Sequence, residues 1–167
     1  MRLTSVDRTT AAYTLAIALA ASAQAAPALN PANGHYYDLV DNSALNWTQA
    51  AADARTRHHR GFQGHLVTIT SAQENTFLID TFGVAGVAGR WIGGFQNVNA
   101  PGYSEPAGGW SWVTGEPWTY QHWADGEPND WGGGENWLQI WGAVLPNWND
   151  IPDNVETAHF TGYIVDV

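Results

Sequence analysis

The spacing of apolar positions changes character along this chain. Residues 11–23 form an apolar run rich in Ala, preceded by Arg2 and Arg8. Over residues 34–82, short β-type runs alternate with helical spacing. "GHYYDLV" predicts a strand over residues 34–40. "NWTQAAADARTR" predicts a helix, with Asn46 as its N-cap, Gln49 placed to close a capping box and an Ala run that favours helix. "HLVTITSAQENTFLIDTF" predicts a brief strand over 66–69, then a second helix capped by Ser71 with Glu74 three residues on. Beyond it Gly, Pro, Asn and Trp break the pattern, leaving "RWIGGF", "GWSWV", "NWLQIW" and "GYIVDV" as short strands. Residues 96–136 have little regular structure of their own, and a loop region that long inside a compact domain is usually functional.

The first apolar run has the features of an address label. It is shorter than the ~20 apolar residues of a membrane span, and Ala23-Gln24-Ala25 offers a small-x-small cleavage site. The expectation is a secretory signal over residues 1–25, one domain over 26–167, no membrane insertion, and a secreted or periplasmic location. The chain carries six Arg, no Lys and sixteen acids, for a formal charge of −10. That sign excludes the basic surface on which nucleic-acid binding rests, and it disfavours anionic membranes. Cysteine is absent, which removes thiol nucleophiles, thiolate metal sites and the disulfides on which small exported domains often lean. Stability then falls to aromatics, ten of them Trp, and to bound ligands. Trp110, Trp112, Trp123 and Trp148 are assigned to the core on this ground.

Charge is distributed unevenly. "DGEPNDWGGGENW" places Asp125, Glu127, Asp130 and Glu135 together with Asn129 and Asn136, and the nearest Arg in sequence is Arg90. A phosphate cradle is excluded at Gly132, Gly133 and Gly134, since no Lys follows and no helix starts there. A glycosidase pair needs one carboxylic acid held protonated, and nothing in the sequence isolates one. Zinc at His58, His59 and His65 lacks a carboxylate at ligand spacing, and Arg57 and Arg60 flank the pair, which reads as a solvated helix end. Calcium fits better. It takes six to eight oxygens from carboxylates, amides and backbone carbonyls, and Glu127, Asn129, Glu135, Asn149 and Asp150 are that kind of donor. Without a cation the carboxylates would repel one another.

These fragments, in this order and spacing, resemble a C-type lectin domain over nearly all of residues 35–167. "NWTQAAADA" is similar to that family's first helix, "GHLVTITSAQEN" to the approach to its second, and "WIGG" to its central strand. "WVTGEPWTYQHWADGEPND" is similar to its long loop, followed by "GENWLQI" and "WNDIP". The resemblance implies an α+β fold, with two helices flanking small antiparallel sheets and a long calcium-binding loop region. It implies a principal Ca2+ site at Glu127, Asn129, Glu135, Asn149 and Asp150, with Pro128 in the cis form. The second "GEP", at Gly115, Glu116 and Pro117, has Trp118 where an amide should stand and is read as a structural turn.

The implied function is sugar binding. Two neighbouring hydroxyls would coordinate calcium, give protons to Glu127 and Glu135, and accept from Asn129 and Asn149. In the family, Glu-Pro-Asn goes with equatorial 3- and 4-hydroxyls, as in mannose, glucose, N-acetylglucosamine or fucose. Trp131, two residues after Asn129, either packs against the sugar or closes the loop as a core residue. A second calcium site would draw on Asp130, Glu135 and Asn136, with Asn97 and Glu105 as weaker candidates. One shallow site binds a monosaccharide at about millimolar strength, ~4 kcal/mol, so useful avidity implies several copies, as in a homo-oligomer. The family's disulfide positions here hold Ala54, Trp137, Asp153 and either Ile164 or Val165. The alternatives are a calcium-stiffened scaffold that binds protein or ice and, further off, a glycosidase.

Overall fold

Two side-chain caps set the helical frame. In the computed structural model, which describes residues 26–142, 144–154 and 160–167, strand β1 (Ala28–Leu29) and strand β2 (Tyr36–Asp41) lead into helix α1 (Trp47–Ala54). The leader expected over residues 1–25 lies outside the described residues. At α1 the expected capping box is complete: Asn46 accepts from the Gln49 amide, and the Gln49 side chain accepts from the Asn46 amide. Strands β3 (His58–His59), β4 (Phe62–Gln63) and β5 (His65–Leu66) precede helix α2 (Ala72–Phe82). Ser71 caps α2 as expected, accepting from the Glu74 amide at 3.2 Å. The Glu74 carboxylate does not close a box on Ser71. It accepts instead from the Thr70 amide at 2.8 Å and from the Tyr37 hydroxyl at 2.5 Å, which ties the helix start to β2.

A short third helix, α3 (Val84–Val87), follows, then β6 (Arg90–Gln96), β7 (Trp110–Trp112), β8 (Trp137–Trp141), β9 (Asn147–Ile151) and β10 (Gly162–Asp166). Eight of the ten strands join into one sheet of order β1-β2-β10-β6-β8-β9, with β5 on β10 and β7 on β6, and β3 and β4 form a separate two-stranded sheet. The β10–β6 pair is parallel. Strand alternation then sorts the core into two halves. Ile92, Leu138, Ile140, Trp148 and Ile164 face α2 and the Trp-rich loop, while Trp91, Tyr163 and Val165 face α1. Trp110, Trp112 and Trp148 are buried and Trp123 packs against them, as assigned. The two glycines of "WIGG" serve close approach: a Cβ on Gly93 would lie 2.7 Å from the Leu66 carbonyl.

Three local expectations change. The strand expected over 66–69 narrows to His65–Leu66, because beyond it the Val67 amide turns to Ile164 and its carbonyl to Gly93. His58 and His59 do not end a helix. Arg60 and Gly61 both take positive φ (50° and 89°) and form the tight two-residue turn of the β3–β4 hairpin. The sites of the family's cysteines are occupied by packing and hydrogen bonds: Ala54 and Val165 share the α1 half of the core, and Asp153 accepts from the Thr48 amide and hydroxyl at the start of α1. The second "GEP" is structural, since Glu116 accepts from Thr68 and Thr114 at 2.6 and 2.8 Å.

Two buried phenols make the fold sensitive to alkali. Burial raises the pKa of Tyr37 and Tyr163 well above the ordinary phenol range, and hydrogen bonds to Glu74 and Asp53 add to the rise. A phenol harder to ionise when folded stabilises the fold fully below its unfolded value and loses that contribution as pH climbs past it. Spectrophotometric titration should show these two ionising only as the chain unfolds, above about pH 10. Free titration of all six tyrosines with the fold intact would contradict this.

Candidate functional site: an acidic loop sewn to strand β9

The long loop reaches its place through Trp148. This indole is fully buried, edge-on to Trp112 and Trp123. Its backbone amide donates to the His122 carbonyl at 2.8 Å, and its carbonyl accepts from Ala124 at 2.9 Å. Residues 122–124 are thereby fixed alongside β9, and the acidic segment starts one residue later.

Asp150 makes the next attachment. It is 1% exposed, and its two oxygens accept from the backbone amides of Asn129 (3.0 and 3.1 Å) and Asp130 (2.8 Å). The Asp130 carboxylate then accepts from the Gly134 and Glu135 amides at 2.6 and 3.0 Å. Between them Gly132, Gly133 and Gly134 all have φ near +80° to +90°, a left-handed run that side chains resist, and this brings Glu135 back toward Asn129. The Trp131 amide sits between the two, donating to Asn129 Oδ1 at 2.7 Å and Glu135 Oε2 at 2.6 Å. The Glu127–Pro128 peptide is cis, as is Glu105–Pro106.

Glu127 completes the group. Burial, followed by the carboxylates of Asp150 and Glu135, pushes it up to about 7, and its Oε2 is buried without a hydrogen-bond partner. Glu135 is raised as well, first by burial and then by Asp150 and Asp130, against the lowering hydrogen bond from Trp131. Among the described residues, the Arg–carboxylate pairs involve Asp41 and Asp53, and Asp166 faces His35 and His65; none of these acids belongs to the loop. Arg90, the nearest cation in sequence, is buried against the Val40 carbonyl and Asp41. The acids therefore crowd one another without a protein counter-ion.

This donor set suits a hard cation. It offers carboxylate and amide oxygens, one of them buried and unused, and no sulfur or imidazole. Among the described residues no three His, Cys, Asp or Glu side chains form a metal-holding group by themselves, so amide oxygens are needed to fill a shell. Glu127, Asn129, Glu135 and Asp150 are brought together. Asn149 precedes Asp150 on β9, so its side chain alternates to the other face, where it is half-buried with no side-chain hydrogen bond to the described residues.

The remaining candidates separate. Trp131 is not core: it is 81% exposed at the outer edge of the loop. Asp130 is engaged in the loop's own turn, while the Oδ1 of Asn136 is buried without a partner. Asn97 accepts from the Asn99 amide and Glu105 accepts from the Tyr103 hydroxyl, so neither is held on the acidic loop. The tie between Trp148 and residues 122–124 was missed from sequence. A Trp directly before "ND" was its one signal.

Fold and site together define a C-type lectin-like scaffold, and the comparisons agree. The chain matches the model of the lectin C-type domain over residues 41–159, and it belongs to that family. It is 32% identical over 147 residues to halomucin of Haloquadratum walsbyi, covering 80% of this chain and 1% of that one. The chain spans less than half the length of the curated relatives it matches. Among solved structures it is similar to the cow CD23 C-type carbohydrate-recognition domain, determined in the presence of a GlcNAc2Man3 oligosaccharide. That likeness has 29% identity and a TM-score of 0.61, covering 80% of this chain and 87% of that one. It is also similar to a calcium-independent type II antifreeze protein, with 29% identity, a TM-score of 0.57 and coverage of 80% and 85%. No helix among the described residues is long and apolar enough to cross a membrane.

Proposed function

We propose that this domain captures glycans in a calcium-dependent way at the acidic loop, taking sugars with equatorial 3- and 4-hydroxyls such as mannose. What carries the reading is the convergence of Glu127, Asn129, Glu135 and Asp150 around an unpartnered, buried carboxylate oxygen without a protein counter-ion. The carbohydrate-recognition domain of cow CD23 supports it by likeness. Calcium, when bound, would neutralise these carboxylates and accept lone pairs from two vicinal hydroxyls. The residues divide the rest of the work. Glu127 and Glu135 accept hydrogen bonds from hydroxyls, Asn129 donates to a hydroxyl oxygen, and Asp150 holds the loop closed through the Asn129 and Asp130 amides, while Asn149, on the other face of β9, is left out of the sugar contact.

The direct test is retention on mannose resin with calcium and elution by chelator. Retention that survives the chelator would sink the proposal. The antifreeze relative favours a second reading, an ice-binding face, and inhibition of ice recrystallisation in the presence of chelator would support it.

Trp131 gives a prediction local to the sugar. Its indole is exposed, so Trp131→Ala should leave the melting temperature unchanged and weaken glycan binding by about 2- to 10-fold through lost stacking on C–H faces. Equal glycan affinity in wild type and variant, measured by calorimetry, would remove Trp131 from the site.

A further inference from the structure

A separate cleft of about 290 Å³ lies against β10, bounded by His35, Phe62, His65 and Asp166 and by no residue of the acidic loop. Strand register assembles it. Asp166 pairs with His65 across β10–β5 and with Tyr37 across β10–β2, which places residues 35 and 65 on either side of its carboxylate. Asp166 is 4% exposed at the cleft floor, and Phe62, on the β3–β4 hairpin, is 72% exposed at its wall.

The proton positions follow from the partners. A carboxylate accepts, so His35 Nδ1, at 2.7 Å from Asp166 Oδ2, carries a hydrogen. A carbonyl accepts, so His65 Nδ1, at 2.9 Å from the Leu66 oxygen, carries one as well. In the neutral form of the His65 ring, Nε2 has a bare lone pair, and this atom is 3.9 Å from Asp166 Oδ2. Two acceptors face each other with no donor from the described residues between them. Burial raises the Asp166 carboxyl, His35 and His65 pull it down and Glu74 adds to the rise, whereas the nearby Arg60 is held over the Tyr36 ring at 5.0 Å and does not line the cleft.

We propose that this cleft binds a primary ammonium group, the chemistry shared by an amino sugar and a lysine side chain. An ammonium has three N–H donors, so it satisfies Asp166 and the His65 Nε2 together, and its carbon stem can lie against Phe62 with a cation–π contribution. A hydroxyl has one proton and satisfies one of the two. The site is independent of calcium, so it stands or falls apart from the glycan proposal.

The test is NMR of the ¹⁵N-labelled full chain in chelator near neutral pH, following the histidine ring nitrogens and the Phe62 ring during separate titrations with D-glucosamine, Nα-acetyl-L-lysine amide and D-glucose. Saturable shifts at His65 Nε2 and Phe62 with either amine, and none with glucose, support the proposal; which amine binds tells a glycan from a peptide source. The exposed variant Phe62→Ala should weaken the amine about tenfold while keeping its folded spectrum, and Asp166→Asn should weaken it further. A His65 ring doubly protonated without ligand would mean the acceptors are already satisfied internally, and that result overturns the proposal. So does an equal response to glucose, or no response to either amine at about 10 mM.

Discussion

Removing calcium near neutral pH is expected to abolish glycan capture and lower the melting temperature on the order of 5–10 °C, and the loss should shrink toward zero near pH 5. The thermal part follows from mass action, since a ligand at a hundred times its dissociation constant stabilises the state it binds by about 2.7 kcal/mol. The pH part follows from Glu127. Burial and the neighbouring Asp150 and Glu135 carboxylates push it up to about 7 in the cation-free domain, against 4.5 for the free side chain. A carboxylate with a raised folded value contributes stability below its unfolded value and loses it as pH rises through the folded one. Cation-free domain should therefore weaken between about pH 4.5 and 7. Calcium requires the ionised carboxylates, so protons compete with it over the same range. Melting curves with and without chelator should converge in acid and separate above pH 7. Parallel curves across that range would show that these carboxylates do not hold the ion.

Asp150 is where fold and site meet, and its sequence context explains why some of this arrangement could be read in advance. Caps are local: Asn46 with Gln49 and Ser71 with Glu74 lie within one turn, and both helix starts came out as expected. The Glu127, Asn129 and Glu135 spacing is also local, because a Gly-rich loop must fold back on itself. What stayed hidden depends on partners distant in sequence. "NWNDI" looks polar and loop-like, yet it becomes β9, since β8 supplies its ladder and buries Trp148 and Asp150. Trp148 could be assigned to the core from sequence, whereas Trp131 stayed open between sugar contact and core; the first ends fully buried edge-on to Trp112 and the second 81% exposed. The His35, His65 and Asp166 cleft gathers residues up to 131 positions apart, so no motif marks it. Glu74 follows the same logic: the bond from its amide to the Ser71 cap is local, and the tie of its carboxylate to Tyr37 is not.

Exchanging Glu127 for Gln together with Asn129 for Asp should turn preference from mannose toward galactose, by about 10- to 100-fold in the affinity ratio. The hydrogen bonds give the reason. Asn129 Oδ1 accepts from the Trp131 amide at 2.7 Å, so the amide nitrogen of the same side chain is the atom left to donate outward. In Asn129→Asp one carboxylate oxygen keeps the Trp131 bond while the outward atom changes from donor to acceptor. Glu127→Gln makes the opposite change at the other end of the cis Pro128 turn, converting an acceptor into an amide that donates. Each single exchange pairs like with like against one hydroxyl and should weaken mannose without improving galactose. Only the double exchange restores one donor and one acceptor with their places reversed, so the two substitutions should be strongly non-additive. Competition of free mannose and galactose against an immobilised glycan, measured on all four proteins in calcium, reads the effect directly. An unchanged mannose preference in the double variant would place sugar recognition somewhere other than Glu127 and Asn129.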